Sequence, residues 1–123
     1  MKVIYTEEAP AVVGPYSQAI AANGFLFCAG QIGLNPQTKD LEQGIEQQTH
    51  QVMKNISAVL EAAGSSLQNV VKTTIFLADM SDYAKVNELY GQYFTETKPA
   101  RSTVAVAKLP REALIEIEVV ATL

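Results

Sequence analysis

The sequence predicts a two-layer α+β domain in which two helices cover one face of a mixed sheet. Three observations lead there. A chain of 123 residues supports one core and leaves no room for a second. Two stretches carry apolar residues at helical spacing and alternate with runs rich in Val, Ile, Thr and Phe. No linker or internal repeat interrupts residues 1–123, so a single domain of order β-β-α-β-α-β-β is expected, with residues 2–5 available as an extra edge strand.

The first two strands are expected at residues 18–22 and 25–29. Between them Asn23-Gly24 is the dipeptide best suited to the positive φ angles of a tight hairpin. Gly33, Asn35 and Pro36 then break the pattern, and residues 36–40 have the composition of an exposed loop. From Ile45 a stripe of Val52, Met53, Ile56, Val59, Leu60 and Ala63 predicts the first helix. Gln47, Gln48, His50, Gln51, Lys54 and Glu61 mark its wet side, and Gly64 its stop. Ser65 and Ser66 can cap a short turn before a strand over residues 70–78.

The second helix starts after Asp79 or Ser81. Its stripe is Tyr83, Val86, Leu89, Tyr90, Tyr93 and Phe94, and Pro99 stops it. Two further strands are expected at residues 101–108 and 114–122. Alternation puts Ile115, Ile117 and Val119 on one face and Glu116, Glu118 and Val120 on the other. In the preceding strand Val104 and Val106 share a face, expected against the helices, opposite Arg101, Thr103, Ala105 and Ala107. An open face that mixes Arg101 and Glu116 with small or apolar side chains is too greasy for water, so a partner subunit is its simplest cover.

Composition narrows the function classes. Hydrophobic residues at 48% and charged residues at 18% describe a globular chain. A formal charge of −4 lacks the basic footprint of a nucleic-acid binder. The single Cys28 excludes an internal disulfide and any four-thiolate metal site, which suits the cytoplasm. No apolar signal core opens the chain and no stretch is long enough to span a membrane, so neither export nor membrane insertion is expected.

Few residues stand out as chemistry. There is no phosphate-binding Gly-rich loop and no nucleophile elbow, and one histidine cannot build a multi-His metal site. His50, with Glu46 and Lys54 one turn away on either side, reads as a solvated surface histidine. Cys28, between Phe27 and Ala29, reads as an inert, mostly buried thiol. Arg101 opens an apolar strand where an unpaired cation is costly. Either it forms a cross-strand ion pair with Glu116 or Glu118, or it grips the carboxylate of a ligand. Tyr16 is a half-buried aromatic, and Asn87 interrupts the stripe of the second helix as a satisfied amide or as part of a site.

In several segments the sequence resembles the RidA/YjgF family of imine deaminases. They are Gly14-Pro15-Tyr16-Ser17-Gln18-Ala19, Ala29-Gly30-Gln31-Ile32, residues 47–64, residues 72–94 with Val86-Asn87-Glu88-Leu89-Tyr90, Pro99-Ala100-Arg101-Ser102, and Leu109-Pro110 through Ile115-Glu116-Ile117-Glu118. These segments, in order, take in almost the whole chain. The resemblance implies a fold similar to trimeric chorismate mutase, with three subunits closing a barrel-like centre and a site in each cleft between them. It also implies hydrolysis of 2-iminopropanoate and 2-iminobutanoate, released as enamines by pyridoxal-phosphate dehydratases, to 2-oxo acids and ammonia. No metal or cofactor is implied.

By the same resemblance Arg101 binds the substrate carboxylate and Glu116 orients or deprotonates the attacking water, while Glu118 is a neighbouring structural charge. Tyr16 closes over the ligand, Asn87 supports the pocket, and Gly30 and Thr103 supply backbone groups beside the substrate. Thr103 stands where many relatives carry Cys. Ala29 stands where many carry Ser, so a changed rate or substrate preference is expected. Other readings remain open: a regulatory module that senses small carboxylates, a chaperone-like role after oxidation, and RNA cleavage or inhibition of translation. The acidic charge and the lack of a histidine acid/base pair weigh against that last reading.

Overall fold

The computed structural model describes residues 1–123. Its elements are β1 (Lys2–Ile4), β2 (Ala19–Ala22), β3 (Phe25–Cys28), β4 (Gln31–Ile32), α1 (Gly44–Ala62), β5 (Val70–Leu77), α2 (Tyr83–Gly91), β6 (Ala100–Ala105) and β7 (Ile115–Thr122). The strands form one sheet of order β1-β2-β3-β7-β5-β6, with β4 also paired to β7. Only β5 and β6 run parallel, so the sheet is mixed as expected. The available edge strand at the N-terminus is present as β1. No helix is long and apolar enough to cross a membrane.

The β2–β3 hairpin turns on Asn23 and Gly24, at φ of 53° and 80°, the two left-handed residues that a type I′ turn requires. Helix α1 ends as its sequence indicates. The Gly64 N–H donates to the Glu61 carbonyl and the Ser65 N–H to the Leu60 carbonyl, which satisfies two carbonyls of the last turn. The core lies between the helices and one face of the sheet. Leu26, Ile75, Leu77, Ile115 and Ile117 meet Val52, Met53, Ile56 and Leu60 of α1, all of them buried. Each such side chain contributes roughly 1.5–3 kcal/mol by leaving water.

Several expectations are corrected. Gln48 is buried rather than wet. Its amide donates to the Glu42 carbonyl at 3.0 Å and accepts from the Leu114 N–H at 2.8 Å, tying α1 to the chain that enters β7. His50 is half-buried, and its Nδ1 is hydrogen-bonded to the Tyr93 hydroxyl. Helix α2 stops at Gly91, so Tyr93 and Phe94 lie in the turn beyond it. Strand β6 ends at Ala105 because its partner β5 ends at Leu77, with one last bond from the Val106 N–H to the Leu77 carbonyl. The two-residue β4 was not anticipated, being too short to show alternation.

The largest correction concerns Arg101. In the parallel register Arg101 lies opposite Thr73 and Thr103 opposite Ile75, and Thr73 and Ile75 are fully buried beneath the helices. Arg101 and Thr103 therefore stand on the helix-covered face. Val104, expected inside, lies opposite Phe76 on the open face and is 45% exposed. The open face also carries Phe27 and Val3, so its apolar character is borne out with different residues.

Candidate active site

Arg101 lies on the edge strand β6, beneath α2. Its guanidinium stacks over the rings of Tyr90 and Tyr83, 5.0 and 5.7 Å from the two centroids, and Nη2 donates to the Tyr83 hydroxyl at 3.1 Å. Tyr90 is itself fixed: its hydroxyl is 2.8 Å from Thr73 Oγ1 in a buried hydrogen bond. Burial pushes the Tyr90 phenol above its usual acidity range. Tyr83, on the surface, is pulled the other way, first by its hydrogen bond with Asn87 and then by the Arg101 charge. A cavity of about 260 Å³ opens beside the guanidinium, lined in part by Asn87, Tyr90, Phe94 and Lys98.

The alternative of a cross-strand ion pair is closed by topology. Strand β5 lies between β6 and β7, so Arg101 does not neighbour Glu116 or Glu118, and both acids occupy strand positions on the opposite face. The contacts of the cation are a hydroxyl and two ring faces, and its remaining N–H groups are free to meet a ligand.

Glu116 belongs to a second cavity, of about 220 Å³, which it shares with Tyr16, Ala29, Gly30, Ile32 and Arg111. The backbone explains how it is presented. Phe27 pairs with Val120 and Gln31 with Ile117, so four residue steps on one side of β7 oppose three on the other. The extra residue makes a bulge at Cys28–Gly30 that breaks β3 from β4. Glu116 lies across Gly30, where a β-carbon would fall 2.2 Å from Oε2. The following segment is held by Asn55 of α1, whose Nδ2 donates to the Ile32 and Leu34 carbonyls at 3.2 and 2.9 Å. Burial, and then the neighbouring charge of Glu118, raise the Glu116 carboxyl above its ordinary range.

The expected site residues thus fall into two groups within one chain. Tyr16, Gly30 and Glu116 line one cavity, and Asn87 and Arg101 line the other. Thr103 lines neither; its Oγ1 is buried with no hydrogen-bond partner. Arg101 is level with Val119 across the sheet, three residues from Glu116 along β7. Two interstrand gaps and three strand residues put their Cα atoms on the order of 14 Å apart, on opposite faces. Sequence reasoning did not single out Tyr83, Lys98 or Arg111. For Tyr83 a signal existed: positions 83, 87 and 90 share one side of α2, and all three carry polar atoms. The Cys28 thiol is pushed up to about 12 by burial, which agrees with the inert reading.

Comparison with known proteins places this geometry. The family profile described as Endoribonuclease L-PSP matches residues 6–123. A RutC family protein of Synechocystis is 60% identical over 126 residues, spanning 100% of this chain and 97% of the relative. The chloroplastic Reactive Intermediate Deaminase A of Arabidopsis thaliana is 53% identical, over 99% of this chain and 66% of the relative. The chain belongs to the RidA/YjgF family. The crystal structure of Escherichia coli TdcF with bound serine aligns at a TM-score of 0.97 with 38% identity, covering 100% of this chain and 99% of that one. The mixed sheet with two helices on one face is thus the RidA-type fold, and Ala29 lines the cavity of Glu116.

Proposed function

We propose that the protein hydrolyses 2-imino acids and their enamine tautomers, 2-iminopropanoate and 2-iminobutanoate among them, to 2-oxo acids and ammonia. The observation that carries this reading is the isolated Arg101 fork beside an open cavity, bracketed by tyrosines and bonded to no carboxylate. A guanidinium with free N–H groups suits a bidentate grip on a small carboxylate.

In the proposed mechanism Arg101 holds the carboxylate while Glu116 accepts a proton from water, whose oxygen bonds to the imine carbon. The C=N electron pair moves to nitrogen, which is protonated. In the resulting carbinolamine the hydroxyl proton passes by way of Glu116 to the nitrogen as C=O forms, the C–N bond breaks, and ammonia leaves. A carboxyl whose acidity is weakened by burial is a better proton acceptor than an ordinary carboxylate, which suits receiving and returning that proton. Since a protonated imine is already electrophilic, positioning the substrate and one water meets most of the catalytic demand.

One chain cannot do this alone. The carboxylate carbon and imine carbon of the substrate are one bond apart, whereas Arg101 and Glu116 are separated by about 14 Å and by the thickness of the sheet. We therefore propose that copies associate, as a homotrimer, so that Arg101 of one subunit faces Glu116 of the next. The apolar open face with Phe27, Phe25 and Val104 supplies the surface for that contact. The test couples the protein to a serine or threonine dehydratase and traps residual imine with semicarbazide. Acceleration by the wild type and not by Arg101→Ala supports the reading, and equal acceleration by both defeats it.

Two rival readings have specific support. The serine held by TdcF favours a module that binds amino-acid-like carboxylates without turnover. Binding of a 2-oxo acid with no imine hydrolysis would select it. The family profile's description favours RNA cleavage. Against it stand the charge of −4 and a sole histidine engaged with Tyr93. Strong, salt-sensitive RNA binding by the purified protein would reverse that judgement.

A further inference from the structure

We infer that the hydroxyl of Tyr83 is a second donor to the carboxylate bound by Arg101, and so a substrate-binding residue of this chain. The inference rests on the proposed function and deepens it. Arginine has no acceptor, so in the 3.1 Å contact from Nη2 the Tyr83 oxygen must accept. The phenolic hydrogen takes no part in that bond. Asn87, one turn further along α2, adds to the pull that lowers the Tyr83 phenol below its usual range, ahead of the Arg101 charge. With the oxygen accepting from Nη2, the O–H hydrogen is left free to donate beside the guanidinium.

The second tyrosine in the bracket cannot play this part. The Tyr90 hydroxyl is buried and bonded to Thr73, whereas Tyr83 is 37% exposed at the rim. An anion that approaches the free edge of Arg101 therefore meets a cation stacked between two rings and, next to it, a neutral donor held by its bond to Nη2. Asn87, one turn along α2 from Tyr83, lines the cavity with Arg101. The ligand class is a small carboxylate with an open approach to both donors.

Tyr83→Phe isolates the hydroxyl, because the ring and its contact with the cation remain. Titration calorimetry with 2-oxobutanoate is expected to show binding weakened about 5- to 20-fold, the size of one partly exposed hydrogen bond to a charged group. In the dehydratase-coupled assay the loss should fall in KM more than in kcat, which general damage to the fold would not produce. Binding by Tyr83→Phe as tight as wild type, with imine hydrolysis intact in both, overturns the role of Tyr83 alone. Weakened binding in the variant of a wild type that hydrolyses no imine overturns the hydrolase reading and supports Tyr83. A wild type that does not bind 2-oxobutanoate overturns both.

Discussion

The Glu116 carboxylate lies directly across Gly30, at a distance that leaves no place for a β-carbon. Gly30→Ala is expected to push the carboxylate aside and lower kcat/KM for 2-iminopropanoate by about 10²-fold, the scale of a misplaced catalytic group. The contact is with a movable side chain, so the urea midpoint should barely shift. Activity near wild type in that variant would show that the Glu116 position is not critical.

Arg101→Lys keeps the charge and loses the fork. We expect kcat/KM to fall about 10- to 100-fold, and Arg101→Ala to fall further, with circular dichroism unchanged because β6 is an edge strand. Steady-state kinetics on both variants checks the order, and a lysine variant as active as wild type would remove the case for bidentate binding.

The acid limb of the pH profile should belong to Glu116. Its carboxyl is raised first by burial and then by Glu118, so the basic form is lost as pH falls through a value above the ordinary 4.5. Glu118→Gln should move that limb downward. The stability sign is opposite to that of a salt-bridged acid. A raised carboxyl binds its proton more tightly when folded, so its destabilising effect is present above the folded value and disappears below it. Glu116→Gln should therefore melt no lower than wild type at pH 7.5, and lower melting there would contradict the assignment.

Thr73→Val removes the partner of the buried Tyr90 hydroxyl. A loss of about 1–3 kcal/mol is expected in urea unfolding, with weaker 2-oxo acid binding because the ring under Arg101 is no longer fixed. Unchanged stability would mean that the hydroxyl finds water at no cost.

Phe27→Glu places a charge on the open apolar face without touching the core, since Phe27 is 49% exposed. Light scattering should show dissociated chains, and imine hydrolysis should be lost with the assembly. Active single chains would overturn the shared site.

Much of the fold was legible because its signals are local. Asn23-Gly24 specifies a turn by backbone freedom, and the spacing from Val52 to Leu60 specifies which side of α1 is dry. The face occupied by Arg101 was not legible. Alternation separates Arg101 from Val104, but both sets in β6 contain small apolar residues, and only the parallel register against Thr73 decides which set lies under α2. Gln48 failed for a related reason: its partners, the Glu42 carbonyl and the Leu114 N–H, come together only in the folded chain. The roles expected of Arg101 and Glu116 rest on family resemblance, and their separation into two cavities emerges only from strand order.

The half-buried thiol of Cys28 has a bearing on oxidising conditions. With so little thiolate available, peroxide or an alkylating agent meets almost no reactive sulfur at that position. The sulfurs within reach are the thioethers of Met1 and Met80, 96% and 46% exposed, whereas Met53 is sealed in the core. Met80 lies in the short turn that leads into Tyr83, so sulfoxide formation there would register beside the Tyr83–Arg101 contact and leave the cysteine untouched.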